Sequence, residues 1–482
     1  MRALKQPRLE AEEKMLFSEP LPFVSEYLEA LDSALKAHSG KDSGLSVAQR
    51  RWLGFCVMAI LITNSVCWAK FERAGLGSYS LAALSWMFRS SKLPWGWLLQ
   101  LSVEVVLRRY GITEGCLSLD DSDKRRSKVT RKIAYVHKLK DKTSGGYLQG
   151  QCILFLVLIT PKVTIPVGFA FYQPDPLLSA WTKEEKRLKK AGVPAGQRPS
   201  KPLRRANYPS KIELALALLK RFEQEHPQIH VKCVLADALY GTKPFLQQAC
   251  KLFGGVQVIS QLRSNQNIRV RGRLYSLEQY FTQHPGVAQS VRIRGAEPVT
   301  VTVGSARLVV CAHGEKRFVI ALQYEGEEDY RYLVATDLSW RTLDIVQAYT
   351  FRWLVEVFFS DWKAHEGWGA LTQQPGEDGS SRSLILSLLV DHCLVLHPDQ
   401  LAQVEHQQPA FTVGSLIDRV KIDSLITIIR QLMVADEPEK RLQRLTQQLE
   451  AQFQLKPSDK HMVHRDLGRM EPTPSLKYRA AA

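Results

Sequence analysis

Hydrophobic and polar positions repeat with two different periods along the chain, and the period changes near residue 112. Between residues 23 and 110 the apolar positions recur every three or four residues, which is typical of amphipathic helices. Between residues 115 and 262 short apolar runs end in turn-forming or acidic residues, which predicts five strands with helices after the third and fourth. The pattern therefore predicts an all-helical segment followed by an α/β segment.

Strand, strand, strand, helix, strand, helix, strand is the element order of a ribonuclease H-like core. Short alternating runs joined by Gly turns then predict a β-rich insertion. We therefore expect an α/β protein with a ribonuclease H-like catalytic core, an inserted all-β domain and a helical N-terminal domain. The predicted ranges are 1–112 for the helical N-terminal domain, 113–263 for the first part of the core, 264–338 for the β-rich insertion, 339–400 for the second part of the core, and 401–482 for C-terminal helices and a loose tail. Residues 76–98 could form a helix-turn-helix, which makes 1–112 the candidate DNA-binding domain.

The charge balance predicts an anionic partner. Lys and Arg number 65 against 48 Asp and Glu, which gives a formal charge of +17 over 482 residues. Such an excess is typical of proteins that bind nucleic acid or an anionic surface. The eight Cys are scattered without a C-x-x-C pair, so we expect a reducing cytoplasm and neither disulfides nor a zinc site.

One uncharged segment, residues 52–69, is close to membrane-spanning length. Thr63, Asn64 and Ser65 interrupt its apolar run, and the chain has no second segment of this kind. We therefore expect a buried core helix and no membrane partner. A membrane-associated basic protein stays the last alternative.

Residues 349–368 are predicted to form one amphipathic helix. At 100° per residue, its polar positions Tyr349, Arg352, Glu356 and Lys363 fall within an arc of roughly 60°. A solvated face with an Arg352–Glu356 ion pair would explain this arrangement. A functional face would instead use the phenol, guanidinium and ammonium groups as donors to phosphate oxygens around a single carboxylate.

The run Y-x-x-R-x-x-x-E-x-x-x-x-x-x-K resembles the Tyr-Arg-Glu-Lys signature of bacterial insertion-sequence transposases of the DDE type, specifically the insertion-sequence-four type. The resemblance predicts two upstream Asp residues at strand ends. Asp120 follows a predicted strand over 115–119, and Asp237 follows one over 230–236. Asp121 remains an alternative to Asp120, because neighbouring residues on a strand point to opposite faces.

Asp120, Asp237 and Glu356 are thus the candidate catalytic and metal-binding residues. Carboxylates suit hard cations such as Mg²⁺ or Mn²⁺, which take oxygen ligands and keep positions open for phosphate and water. The resemblance implies two ions, which in two-metal sites lie roughly 3.5–4 Å apart and stabilise both the attacking and the leaving oxygen.

Several basic and aromatic side chains are candidate DNA contacts. Lys124, Arg125 and Arg126 follow the first Asp closely, and residues 183–205 form a second basic cluster. The resemblance implies that Tyr349, Arg352 and Lys363 contact DNA at the cleaved end. It also makes Tyr332 a candidate for stacking on a base that is flipped out near the cleavage point.

The resemblance implies cut-and-paste transposition: cleavage at the element's ends, a hairpin intermediate and strand transfer into target DNA. The expected partners are terminal inverted repeats, target DNA and a second copy of the chain in a homodimer, with the C-terminal helices as a possible interface. Two alternatives stay open, a metal-dependent DNA nuclease of the same fold and a catalytically retired DNA-binding derivative.

Overall fold

The computed structural model describes residues 20–40, 44–126, 132–141, 144–292, 298–369 and 374–453. The chain divides into two compact units, Met1–Ile429 and Arg430–Ala482. The first unit is a mixed α/β structure in which many helices surround one large mixed sheet.

Five helices precede the sheet and contribute to a shared hydrophobic core. They are α1 (Pro22–Ser39), α2 (Val47–Thr63), α3 (Trp68–Ala74), α4 (Leu81–Ser90) and α5 (Trp95–Tyr110). The uncharged segment is mostly the buried helix α2, which ends because Asn64 adopts a left-handed backbone with φ of 48°. No single helix in the described ranges is long and apolar enough to cross a membrane. Two bent pairs reach that length and composition only together, Val47–Thr63 with Trp68–Ala74 (92°) and Gly376–Val395 with Pro398–Glu405 (51°).

Twelve strands form the sheet of the first unit. They are β1 (Glu114–Arg125), β2 (His137–Lys140), β3 (Tyr147–Ile159), β4 (Thr164–Tyr172), β5 (His230–Ala236), β6 (Gln257–Leu262), β7 (Asn267–Val270), β8 (Arg273–Ser276), β9 (Val287–Arg292), β10 (Pro298–Val310), β11 (Glu315–Tyr324) and β12 (Arg331–Ala335). Their order is β2-β3-β1-β5-β6-β12-β11-β10-β7-β8, with β4 also paired to β3 and β9 to β10.

Strand direction changes across the sheet. β1 is antiparallel to β3 but parallel to β5, and β5 is parallel to β6. β12 then pairs antiparallel with β6, so the strands of the predicted insertion continue the same sheet. The first strand is longer than the sequence predicted: β1 runs past Asp120 to Arg125 because its antiparallel pairing with β3 continues to Gly150.

The remaining helices of the described residues follow β4 in the chain. They are α6 (Pro176–Lys190), α7 (Lys211–Glu225), α8 (Lys243–Leu252), α9 (Leu277–Gln283), α10 (Thr342–Thr350), α11 (Trp353–His365), α12 (Gly376–Val395), α13 (Pro398–Glu405), α14 (Val413–Met433) and α15 (Pro438–Gln452). α7 and α8 share a hydrophobic cluster with Leu117 and Leu119 of β1. α11 and α12 instead pack on Phe155 of β3, which points to the opposite face.

The prediction of one continuous helix over residues 349–368 is wrong. α10 ends at Thr350 and α11 begins at Trp353, and between them the amide of Arg352 donates to the carbonyl of Tyr349 in a tighter turn. After the break, Val355, Phe358, Phe359 and Trp362 of α11 pack against β3. Local periodicity does not reveal such a break, because the residues on either side of it favour a helix.

The second unit contains the last turn of α14 and the helix α15 in its described part. Arg441 Nη1 donates to the carbonyl of Gln431 across the intervening turn at 3.3 Å. α15 has no buried residue. The loose tail predicted from Lys456 lies outside the described residues.

Candidate active site

Two neighbouring parallel strands carry Asp120 and Asp237 to equivalent positions. Leu119 of β1 pairs with Ala236 of β5, and each aspartate is the next residue along its strand. Adjacent strands lie roughly 4.8 Å apart, so the two carboxyl groups are neighbours at this point of the sheet. Asp237 begins a short 3-10 turn but its side chain makes no capping hydrogen bond. Its carboxylate is therefore not explained as a cap.

Asp120 and Asp121 point to opposite faces of the sheet. Asp120 faces α11, where its Oδ2 accepts a hydrogen bond from Arg352. Asp121 faces α7, where its Oδ2 lies 2.8 Å from Lys211 Nζ and 3.4 Å from Cys152 Sγ. The alternation of the strand thus separates the two carboxylates, and Asp120 is the one on the same face as Glu356.

Packing of α11 on the sheet brings Glu356 to this face. Phe155 of β3 contacts the rings of Phe358, Phe359 and Trp362 with centroids 5.6, 5.4 and 4.9 Å apart. Glu356 lies in the first turn of α11, next to Val355, which packs in the same cluster. The aromatic contacts therefore fix the helix while the side chain of Glu356 stays 44% exposed.

Arg352 links two of the three carboxylates. Its Nη1 lies 2.5 Å from Asp120 Oδ2 and 3.7 Å from Glu356 Oε1. The guanidinium is mostly buried, at 21% exposure. The sequence predicted Arg352 as a DNA contact, and the structure adds that its guanidinium is already bound to the candidate catalytic carboxylates.

The local electrostatics make Asp120 harder to ionise than an ordinary aspartate. Burial, with smaller contributions from Glu356 and Asp237, raises the pKa of Asp120 to about 6, although Arg352 and the amide of Asp121 oppose the shift. A carboxylate crowded by two others and only partly compensated by one cation is a favourable position for a divalent cation. The all-oxygen donor set fits Mg²⁺ or Mn²⁺, with Asp120, Asp237 and Glu356 as the residues that would hold it.

Tyr349 and Lys363 occupy different environments around this site. Tyr349 is buried, and burial raises the pKa of its hydroxyl, with Arg352 opposing the shift. Lys363 is exposed, and its ammonium lies 5.6 Å from the ring centroid of Phe359. Of the two predicted DNA contacts, Lys363 therefore offers an accessible charge, whereas Tyr349 packs beneath the site.

The three basic residues after Asp120 do not share one face. Lys124 lies on the face of Asp120, where its Nζ donates to the carbonyls of Trp368 and Gly369 at 2.6 and 2.7 Å. Arg125 points to the opposite face and is exposed. Arg126 lies just past the strand, bonds the Oε1 of Gln151 and lies 5.7 Å above the ring of Trp368. The structure thus groups Lys124 with Arg126.

Burial and mutual repulsion disfavour the charged forms of this cationic group. Burial, with smaller contributions from Arg126 and Lys363, lowers the pKa of Lys124 to about 8. Burial also lowers the pKa of Arg126 to about 10. Cations held close together beside carboxylates are favourable for a phosphate that would relieve their repulsion.

Tyr332 does not fit the predicted role of base stacking. Its side chain is 4% exposed, and its ring packs at 5.8 Å from Phe281 in the core below β12. A buried ring has no face that a flipped base could reach. This prediction is corrected to a packing role.

Two contributors to the site were not found in the sequence. Ser260 Oγ donates to the carbonyl of Asp237 at 2.7 Å and fixes the chain where β5 ends. Gln151 anchors Arg126, and its own amide donates to Ser380. Both contacts join residues distant in the chain, so no local pattern could have indicated them.

A second acidic group lies on the face of Asp121. Ligand atoms of Asp121, Asp123 and Cys152 all lie within 4.8 Å of one another. Lys211 already neutralises Asp121, and burial raises the pKa of the Cys152 thiol, so this thiol is a poor ligand at neutral pH. Its donor chemistry is therefore less suited to a divalent cation than the set around Asp120.

Comparisons with known proteins add little to this description. No family model matches the chain, and no curated protein matches it. Among solved structures, the chain is similar to piggyBac transposase in a synaptic complex with hairpin DNA, at 11% identity and a TM-score of 0.39, covering 93% of this chain and 86% of that one. A similarity this low does not decide the fold or the function, which are therefore inferred from the residues of the chain itself.

Proposed function

We propose that this protein is a DNA transposase of the DDE type that catalyses metal-dependent cut-and-paste transposition of an insertion sequence. One observation carries the proposal: three carboxylates from distant parts of the chain, Asp120, Asp237 and Glu356, converge beside Arg352 of the same Tyr-Arg-Glu-Lys run. Chance ion pairing on a solvated helix face would not require the two aspartates to occupy paired positions on adjacent strands.

The sheet supports a ribonuclease H-like core. In the sheet, β4, β3, β1, β5 and β6 are successive neighbours, with the first three antiparallel and the last three parallel. The two aspartates follow equivalent positions on the central pair, β1 and β5. We assign the helices before β1 to DNA binding by the same proposal.

The proposed chemistry is phosphoryl transfer on DNA. Two bound Mg²⁺ or Mn²⁺ ions would supply charge stabilisation of the attacking and leaving oxygens. Asp120 must lose its proton to act as a ligand. Before a metal ion binds, Arg352 holds the Asp120 side chain in place. Lys124, Arg126 and Lys363 would bind the phosphate backbone beside the cut.

The proposed reaction proceeds in four displacements. Water attacks the phosphorus at the element's end and frees a 3′-hydroxyl. That hydroxyl attacks the opposite strand, which leaves a hairpin on the element. After the hairpin is hydrolysed open, the 3′-hydroxyl attacks target DNA. We place the reaction in a homodimer that holds two terminal inverted repeats, at the nucleoid in the bacterial cytoplasm.

Cleavage and strand transfer on labelled DNA that carries the element's own ends test this proposal. Wild type is compared with Glu356→Gln, which removes one charge at nearly constant shape, and with Glu278→Gln, which removes an exposed charge from α9. We expect metal-dependent products for wild type and Glu278→Gln only, with end binding kept by all three. Cleavage without strand transfer would indicate a nuclease, and binding without any cleavage would indicate a retired derivative.

A further inference from the structure

A basic segment connects β4 to α7. This basic arm, residues 174–210, contains α6 and a 3-10 turn at Ala195–Gln197. It has nine basic and three acidic residues, by count of the sequence. No side chain of α6 is buried. The arm therefore contributes nothing to the hydrophobic core, and a different role must account for its length and composition.

Polar contacts give the arm a defined fold. The buried carboxylate of Asp175 caps α6 and binds Arg205, whose Nη2 lies 2.9 Å away. Trp181 Nε1 donates to the carbonyl of Pro199 at 2.8 Å, which ties the helix to the following loop. The arm is thus a folded element held across its base.

Each acidic residue of the arm is neutralised by an arginine of the arm. Asp175 binds Arg205, Glu184 lies 2.6 Å from Arg187, and Glu185 lies 2.9 Å from Arg198. The other six cations have no ion pair with an acidic residue in the described part of the chain, and they are Lys183, Lys186, Lys189, Lys190, Lys201 and Arg204. The internal pairing therefore leaves a surplus of positive charge that faces solvent.

Three of these lysines form one stripe along α6. Lys183, Lys186 and Lys190 are spaced i, i+3 and i+7, which places them within about 60° of one another on the helix. All three are exposed. The stripe is about 10 Å long at 1.5 Å rise per residue. One DNA strand presents a phosphate about every 3.4 Å along the axis, so the stripe spans about three phosphates.

Both ends of the arm are attached near β1, on the face of the sheet that carries Asp121. β4 ends at Tyr172, which pairs with Cys152 of β3, and Cys152 in turn pairs with Asp123 of β1. At the other end of the arm, α7 begins with Lys211, which binds Asp121. Since Asp120 lies on the opposite face, DNA bound by the arm would be held outside the carboxylate site.

We propose that the basic arm binds the backbone of double-stranded DNA away from the cleaved phosphate, through the lysine stripe and without reading sequence. The choice of DNA rests on the proposed function. Lysines act as point charges on flexible stems, which suits contact with phosphates in any sequence context.

The salt dependence of binding tests the arm directly. The triple substitution Lys183→Ala/Lys186→Ala/Lys190→Ala keeps helix propensity and disturbs no core contact. Affinity for a duplex of arbitrary sequence is measured by fluorescence anisotropy between about 50 and 200 mM salt, and each lost phosphate contact should reduce the slope of log K against log salt by about 0.9. We expect the slope to fall by about 2.7 for this triple.

The matched control is Lys220→Ala/Lys251→Ala/Lys316→Ala, which removes the same charge from exposed positions on α7, α8 and β11. We expect the control to keep the wild-type slope. Equal slopes for the two triples would overturn the proposal, because net charge alone would then account for binding. Stripe-dependent binding to duplex RNA or phosphatidylserine vesicles with none to DNA would also overturn it.

Failure of the arm and failure of the proposed function give different results. Glu356→Gln should keep the full salt slope, since it removes a proposed metal ligand and leaves the lysines unchanged. A reduced slope in the arm variant, with wild type inactive in cleavage, would support the arm and contradict the transposase. Normal cleavage by wild type, with an unchanged salt slope in the arm variant, would support the transposase and contradict the arm.

Discussion

Arg352 and Asp120 are 232 positions apart in the chain, yet the Nη1 of one lies 2.5 Å from the Oδ2 of the other. Burial favours the protonated form of Asp120 and the guanidinium favours the carboxylate, so the two effects on the pKa of this group oppose each other. The contact also joins β1 to the turn between α10 and α11. Arg352 therefore orders the site and sets how readily Asp120 gives up its proton.

Replacement of Arg352 by Gln should move the pH dependence of activity. Without the guanidinium the pKa of Asp120 should rise above its value of about 6. Each unit of that rise would reduce the ionised fraction of Asp120 about tenfold at pH values below the new pKa. Single-turnover cleavage, measured from pH 6 to 9, should therefore fall more at low pH than at high pH. Arg352→Lys keeps the charge and should shift the profile less, and a profile parallel to that of wild type would contradict this role.

Asp120→Asn should stabilise the metal-free protein. A raised carboxyl pKa means that stability is fully present below pH 4 and is lost as the pH rises through about 6. Since the shift is about two units, the substitution should add up to about 3 kcal/mol at pH 7.5 and little at pH 4. Mg²⁺ or Mn²⁺ should raise the thermal midpoint of wild type but not of Asp120→Asn. An equal response to metal in both proteins would exclude Asp120 as a ligand.

Asp121→Asn should distinguish the role of the carboxylate on one face of β1 from that of Asp120 on the other. Asp121 binds Lys211, with the two side chains 26% and 23% exposed, so its loss should cost about 1 kcal/mol of unfolding free energy. Cleavage should stay close to that of wild type, because Asp121 points away from Glu356. Asp120→Asn, measured beside it, should abolish cleavage. The opposite pattern would make Asp121 the first ligand.

Tyr332→Leu should leave DNA cleavage unchanged and reduce stability. The substitution keeps an apolar side chain but removes the ring that packs on Phe281, which should cost about 1–3 kcal/mol. A base-stacking residue would behave differently, losing cleavage with little change in the urea midpoint. Tyr330→Leu, on the half-exposed neighbouring tyrosine, is the matched control for an aromatic loss near the same strand.

Strand positions in the core could be predicted from the sequence because apolar runs and their ends are local features. The strand predicted over 230–236 is found as His230–Ala236, directly before Asp237. The same local signal could not choose between Asp120 and Asp121. Alternation requires that they face opposite ways, but which face α11 covers depends on its packing against Phe155, which is distant in the chain.

The helix break at Arg352 and the burial of Tyr332 had no local signal. Residues 349–368 have the periodicity of one helix, and the i, i+3 hydrogen bonds between α10 and α11 leave that periodicity unchanged. Tyr332 lies in a strand whose two faces are both buried, so the alternation that usually marks an exposed face is absent. Tertiary packing decides the burial of Tyr332.

A buried carboxyl pair behind α11 should make stability fall with rising pH. Glu366 at the end of α11 and Asp391 in α12 are both buried, and burial raises the pKa of Asp391 to about 7 and that of Glu366 well above its usual range. Raised carboxyl pKa values give stability that is present below about pH 4 and is lost as the pH rises through 7. The expected cost at pH 8 is on the order of 2–4 kcal/mol.

Asp391→Asn should remove most of this loss. Its gain in unfolding free energy over wild type, measured in urea, should be small at pH 4 and grow to about 2 kcal/mol or more at pH 8, because the amide does not ionise. Asp418→Asn, at a side chain that is 78% exposed on α14, should show no such growth. A gain that does not change with pH would mean that the substitution acts through packing, and that Asp391 is not the titrating group.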